Sequence, residues 1–454
     1  MKKITSLVLA LMLTLSVAAC GTKDETPEET PGETPVETPG EGEEEPEEPA
    51  EGGLTGSITV QAESGWMEYY NAAVARFNEA NPDATVEIIE TGSFDMLDIL
   101  DSTDPTNEDI ADVFSIPADR IYGLNDNEAL APIDAMAIAD KVGGFDDYDA
   151  GLGGNFNIDG DYLAFPMNIE TLIAYANTAN AEAAGIDLTK SVELNDAGLQ
   201  VLIPFFDAWF GVSAVNSGDI EMLGMNDDGT LYSDFTAEWA DLAPEKQAVV
   251  EGVFEYWKAT QEANVPMWDA EAAWGYMDEQ FATGGNAVLR ISGPWDAGAF
   301  SEQAGDGADL EVMPLGSITI DGAPLKHWKG GWGIAVNSRN EGDDEKMALA
   351  EAFIAELMNP EFAVEFFQGT GKIMENVPAD VYLNSSLSDS DKAIIENVLA
   401  SYADAPARPL FTEWGSVWDT WKNAVLSWSS VKPTDAEGAY KEIKAAFDAM
   451  MLNF

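Results

Sequence analysis

The chain has 454 residues, 83 of them Asp or Glu against 21 Lys or Arg, which gives a formal charge of −62. With 46% hydrophobic and 10% aromatic residues it can fill a sizeable core, and at this length more than one compact unit is expected. Its acidity excludes phosphate-rich partners, because nucleic acid and a bare anionic lipid surface both repel it. A single histidine, His327, and a single cysteine, Cys20, leave no intrachain disulfide and no Cys/His zinc site. A nucleophilic triad would have to use His327; no catalytic residue, metal or cofactor is expected.

The amino terminus reads as an export signal. Lys2 and Lys3 precede an apolar run from Leu7 to Val17 that is too short to span a bilayer, and small residues follow it. Ser16-Val17-Ala18-Ala19-Cys20 resembles the lipobox of bacterial lipoproteins. That resemblance implies a signal peptide over residues 1–19, cleavage before Cys20 and lipidation of its thiol. Residues 20–53 then form an acidic tether in which Glu-Thr-Pro recurs every four residues from Glu25 to Pro39, ahead of a Glu/Pro/Gly tract. Such a segment has too little to bury and is expected to remain extended and disordered.

From Ser57 the pattern is α/β. Ser57–Ala62 alternates like a strand, and Trp66, Tyr69, Tyr70, Ala73, Val74 and Phe77 follow at helical spacing, with Ser64 as N-cap. Thr85–Ile89 reads as the next strand, a short helix covers Phe94–Leu100, and Ala111–Ile116 is a third strand. This alternation predicts a mainly parallel sheet with ligands beyond its carboxyl ends. Asn157–Leu163 reads as a hairpin turning at Asp159-Gly160; it opens like a calcium loop, but Pro166 occupies the place of the terminal Glu, which excludes that ion. Further strands fit Leu172–Tyr175, Ala287–Ser292 and Gly333–Asn337. Long helices fit Lys246–Ala263, Asp344–Met358, Gly415–Trp428 and Thr434–Met451. There is no phosphate-binding or dinucleotide glycine motif.

Several segments then match a known pattern in order. They are Asp109–Phe114 followed by Asp119-Arg120, Phe165–Leu172 carrying Glu170, the Gly293-Pro294-Trp295 loop, Gly330–Asn337, and Trp418–Lys422. Together they resemble the extracellular solute-binding proteins (family 1) of carbohydrate ABC importers, particularly the maltose- and maltodextrin-binding proteins. The resemblance implies a type II periplasmic-binding-protein-like fold: two lobes, each a mainly parallel sheet flanked by helices, joined by interlobe crossovers near Asn168–Leu172, Pro314–Ser317 and Lys372–Asn376. The lobes would comprise residues 54–168 with 317–371, and 169–316 with 372–454.

It also implies that the chain is no enzyme but captures an oligosaccharide, malto-oligosaccharide-like, in the interlobe cleft by hinge closure. The partners would be the transmembrane subunits of an ABC permease, with a monomer held by its lipid anchor on the outer face of the cytoplasmic membrane. Asp119, Arg120, Glu170, Trp295, Trp418 and Lys422 are the implied ligand contacts. Glu63, Trp66, Trp332 and Trp209 are further candidates, while maltose binders place Asn, Asp and Lys where this chain has Glu63, Ser64 and Trp66. A pyranose supplies independent physical support: its C–H face suits flat aromatic rings and its hydroxyl rim suits ionised hydrogen-bonding groups. Each candidate also has a plainer reading. Trp418 and Trp421, three apart on one helix, fit a core stripe, and His327 beside Trp328 fits an exposed loop. Alternatives to a malto-oligosaccharide are another sugar, a cationic solute such as a polyamine, which the acidity would suit, and an anchored glycoside hydrolase, which two suitably spaced carboxylates could support.

Overall fold

The computed structural model describes residues 53–454 except Asp227. The signal peptide, the lipobox with Cys20 and nearly all of the tether lie outside these residues. In chain order the principal strands are β1 (Gly56–Ala62), β2 (Ala84–Glu90), β3 (Val113–Pro117), β4 (Leu130–Ala131) and β5 (Phe165–Glu170). After these come β6 (Ile173–Asn177), β7 (Val201–Leu202), β8 (Leu289–Ser292), β9 (Leu310–Met313) and β10 (Gly330–Asn337).

Two sheets organise two lobes. The first runs β2-β1-β3-β10-β4, with β5 also paired to β10; the second runs β7-β8-β6-β9. Strand periodicity explains how the first sheet is covered. Val113, Ile334 and Val336 face the core under the helices Met67–Ala80 and Asp344–Leu357, whereas Phe114, Ile116 and Ala335 face a separate cluster under the helix Ser93–Ser102. In the second sheet Ala174, Ala176, Leu289 and Ile291 face a large core. That core is filled by the helices Ala208–Val215, Pro244–Glu262, Gly415–Leu426 and Ala436–Met451. Trp421 and Trp428 are buried in it, Trp428 stacking on Trp268 at 6.0 Å.

Neither sheet is mainly parallel. β1 runs parallel to β2 and β3, but β10 is antiparallel to β3, β4 and β5. In the second sheet only β7 and β8 run parallel, and β6 is antiparallel to both neighbours. The strands that arrive from the other lobe enter in the reverse sense, and side-chain alternation reveals a strand without revealing its direction. The predicted hairpin forms, Asn157–Ile158 pairing with Asp161–Tyr162, and Asp159 and Gly160 adopt the positive φ that its turn requires. Ser64 does not cap the first helix: Ser64–Trp66 is a separate 3-10 turn, and Trp66 occupies the cap position without a side-chain hydrogen bond.

The chain first passes between the sheets at Glu170–Ile173, overlapping the expected Asn168–Leu172. It returns later than expected. Beyond Pro314–Ser317, Ile318–Ile320 still pairs with Val192–Glu193, and Ile318, Ile320, Leu325 and Trp328 pack in the second core. The return to the first sheet therefore falls at Lys329–Gly330. Ile373 bridges Ile169 at the third passage, and the helix Asp389–Ala403 then lies beside β9.

Candidate functional site

A cleft of about 870 Å³ opens where these passages converge. Its first wall grows from the first sheet. β1 ends at Ala62, and the next residue, Glu63, is held by the Ser93 hydroxyl, which donates to its carboxylate at 2.7 Å. Trp66 stands on the 3-10 turn that follows, 5% exposed and stacked on Tyr70 at 6.0 Å. Trp332, on β10, donates its indole N–H to Glu170 Oε2 at 3.0 Å. The Lys372 ammonium lies 5.2 Å from the Trp66 ring centre and 4.8 Å from that of Trp332, placing a cation against two π-faces. Phe94, 60% exposed, meets Trp332 edge to face at 5.4 Å.

The second wall is built on turns and helix starts. Pro294–Asp296 forms a single turn after β8, and the Tyr175 hydroxyl fixes it by donating to the Gly293 carbonyl at 2.8 Å. The Trp295 ring folds back so closely that a Cβ on Gly293 would lie 2.0 Å from it, so a larger residue there would displace the ring. Trp209 opens the helix capped by Asp207 and lies 6.4 Å from Trp295. Trp418 is backed by Trp414 at 4.8 Å and Trp328 at 6.2 Å. One turn along, Trp421 is core, its N–H donated to the Phe205 carbonyl at 2.7 Å.

Polar groups line the gap between the walls. Asp119 and Arg120 do not act as a pair. Asp119 is joined to Arg408 at 2.7 Å, while Arg120 grips Asp101 through two contacts of 2.7 and 2.8 Å. Burial pushes the Glu170 carboxyl above its ordinary range, against the pull of Lys372, Arg408 and the Trp332 N–H. Burial lowers Lys372, and Glu170 and Glu63 oppose that shift. Carboxylates and cations balance across the cleft, which suits a neutral ligand rich in hydroxyls.

Nine expected residues line this one space: Glu63, Trp66, Asp119, Arg120, Glu170, Trp209, Trp295, Trp332 and Trp418. Lys422 does not; it is exposed on the far turn of its helix. His327 is no exposed loop residue. It is 1% exposed, donates from Nε2 to the Trp209 carbonyl at 2.9 Å, and is depressed by burial to a pKa of about 3. Lys372, Arg408 and Phe94 were missed by sequence reasoning: the first two sit in irregular segments without a motif, and Phe94 read as an ordinary helical apolar residue. Among the described residues no cluster of His, Cys, Asp and Glu could hold a metal ion, and no helix is long and apolar enough to cross a membrane.

Residues 72–393 match the sequence profile of a family described as bacterial extracellular solute-binding protein. No curated protein matches the chain. Among solved structures, the fold is similar to the maltose-binding periplasmic protein MalE from Listeria monocytogenes in complex with maltose. That match has a TM-score of 0.65 and 19% identity over 88% of this chain and 98% of that one. MalX from Streptococcus pneumoniae in complex with maltopentaose gives 0.66 and 17% over 86% and 99%. The GacH receptor of Streptomyces glaucescens, solved unliganded and with acarbose, gives 0.63 and 16% over 88% and 100%.

Proposed function

Because the chain belongs to the bacterial extracellular solute-binding protein family, we propose that it captures an oligosaccharide, malto-oligosaccharide-like, and delivers it to the transmembrane subunits of an ABC permease. The observation that carries this reading is the pairing of two aromatic walls, Trp66 with Trp332 and Trp295 with Trp418, around the polar groups of Asp119, Glu170 and Lys372 in one cleft. Rings cover the apolar faces of successive sugars, and the charged groups take their hydroxyls. Ligand settles on one wall, and contacts with the other favour closure about the crossovers, which buries it. The closed surface is what a permease would recognise, and the energy for transport would come from other subunits.

The lobes consist of residues 54–168 with about 330–371, and 169–329 with 372–454. A lipid on Cys20 and the tether up to residue 53 hold the monomer at the outer face of the cytoplasmic membrane. A cationic solute is disfavoured by Lys372 and Arg408, which would repel it inside the cleft. Calorimetric titration with maltose, maltotriose, xylo-oligosaccharides and galactosides tests the proposal: saturable binding to one series without cleavage products is expected. No heat with any sugar, or release of shorter sugars, would remove it.

A further inference from the structure

Residues 405–411 connect the helices Asp389–Ala403 and Gly415–Leu426, and they have no regular structure beyond one bridge from Ala407 to Lys329. Their side chains nevertheless reach both lobes. The Arg408 guanidinium lies over Trp209 at 5.1 Å and Trp328 at 5.4 Å, both part of the second core. From there it crosses the cleft to Asp119, which stands on the turn directly after β3 of the first sheet. Leu410 packs against the first-lobe cluster that contains Phe114, Ile116 and Leu124. Phe411 packs back against the second core. Within four residues the chain therefore touches first one lobe and then the other, without passing between the sheets.

We propose that this segment is an interlobe clasp and that Arg408 is a positioning residue within it. The clasp restrains opening of the cleft, and Arg408 fixes which oxygen of Asp119 faces the ligand. Oδ2 is taken by the guanidinium, and Oδ1 is buried with no hydrogen-bond partner among the described residues. An acceptor in that position is costly unless a donor meets it, and a sugar hydroxyl is such a donor. The Arg408 side chain is only 7% exposed, so its attraction to Asp119 is poorly screened and contributes to closure before ligand arrives. Restraining the lobes raises the fraction of molecules competent to bind, and apparent affinity scales with that fraction.

The clasp rests on the proposed sugar site for its effect on affinity, but not for its effect on shape, and the test separates the two. Small-angle scattering of the ligand-free protein is compared with Arg408→Gln and Leu410→Ala, each checked for a single cooperative melt. Leu410 lies outside the cleft, so its truncation loosens the clasp without touching the ligand. Both variants are expected to have a larger radius of gyration than the parent without sugar. Sugar affinity is expected to fall about tenfold in Arg408→Gln and about threefold in Leu410→Ala. If Arg408→Gln does not fold, Leu410→Ala carries the test alone. An unchanged ligand-free radius in Leu410→Ala overturns the clasp, whatever the ligand proves to be. An expanded radius with no sugar binding in the parent keeps the clasp and removes the sugar.

Discussion

The two walls of the cleft present similar rings by different means. Trp66 and Trp332 are 5% and 7% exposed and belong to the first core, with Lys372 lying against both and Glu170 bonded to one. Trp295 is 48% exposed on a single turn, and Trp418 leans on Trp414 and Trp328 at a helix edge. In the first wall, the proposed binding and the stability would share the same side chains. In the second they are separable, because what supports the rings is not what faces the ligand.

The sharpest way to break this comparison is acid. His327 supports Trp209 from below, and its folded pKa of about 3 lies under the ordinary 6.5. Between those values the unfolded chain binds a proton that the folded one refuses, so stability is complete above about pH 6.5 and declines as pH falls. The loss should approach about 4 kcal/mol near pH 3, and His327→Gln should flatten this part of the curve in denaturant titrations. A variant that keeps the full acid sensitivity would dissociate the histidine from the second wall.

Trp332→Ala comes next. It should cost about 3 kcal/mol of stability, by cavity formation and loss of the donor to Glu170, and should abolish measurable sugar binding. Trp295→Ala and Trp418→Ala should each weaken binding about tenfold, near 1.4 kcal/mol. Trp295→Ala should leave the unfolding midpoint nearly unchanged, and a large shift there would erase the distinction between the walls. Phe94→Ala, at the exposed edge of the first wall, should weaken binding about threefold, within the range of one aromatic contact. Lys422→Ala should change affinity less than about twofold, as an exposed surface substitution does.

Much of this was legible in the sequence, for identifiable reasons. Alternation placed β1, β3 and β10 because it is a local pattern, whereas Trp295 was singled out only by the resemblance of Gly293-Pro294-Trp295 to the family's loop. Strand direction was not legible, since β10 reads the same whether it enters the sheet forwards or backwards. The late return at Lys329–Gly330 was hidden because Ile318–Ile320 pairs with Val192–Glu193, a partner far away in the chain. Arg408 and Lys372 stand in irregular segments, and only the meeting of separate passages brings them to the cleft. Lys422 failed for the opposite reason. The family resemblance proposed it as the basic residue one turn after Trp418, but Lys422 is exposed and does not line the cleft.

β10 carries a last consequence. Its first half pairs with β5 where the chain passes between the lobes, and its second half is built into the first sheet beside β3 and β4. Trp332 stands two residues from the end nearest that passage. A body that swings about such an axle displaces its far rim most and its hub least. The Trp332 ring would thus keep its place through opening and shutting, giving an incoming sugar a stationary berth while the opposite wall travels to meet it.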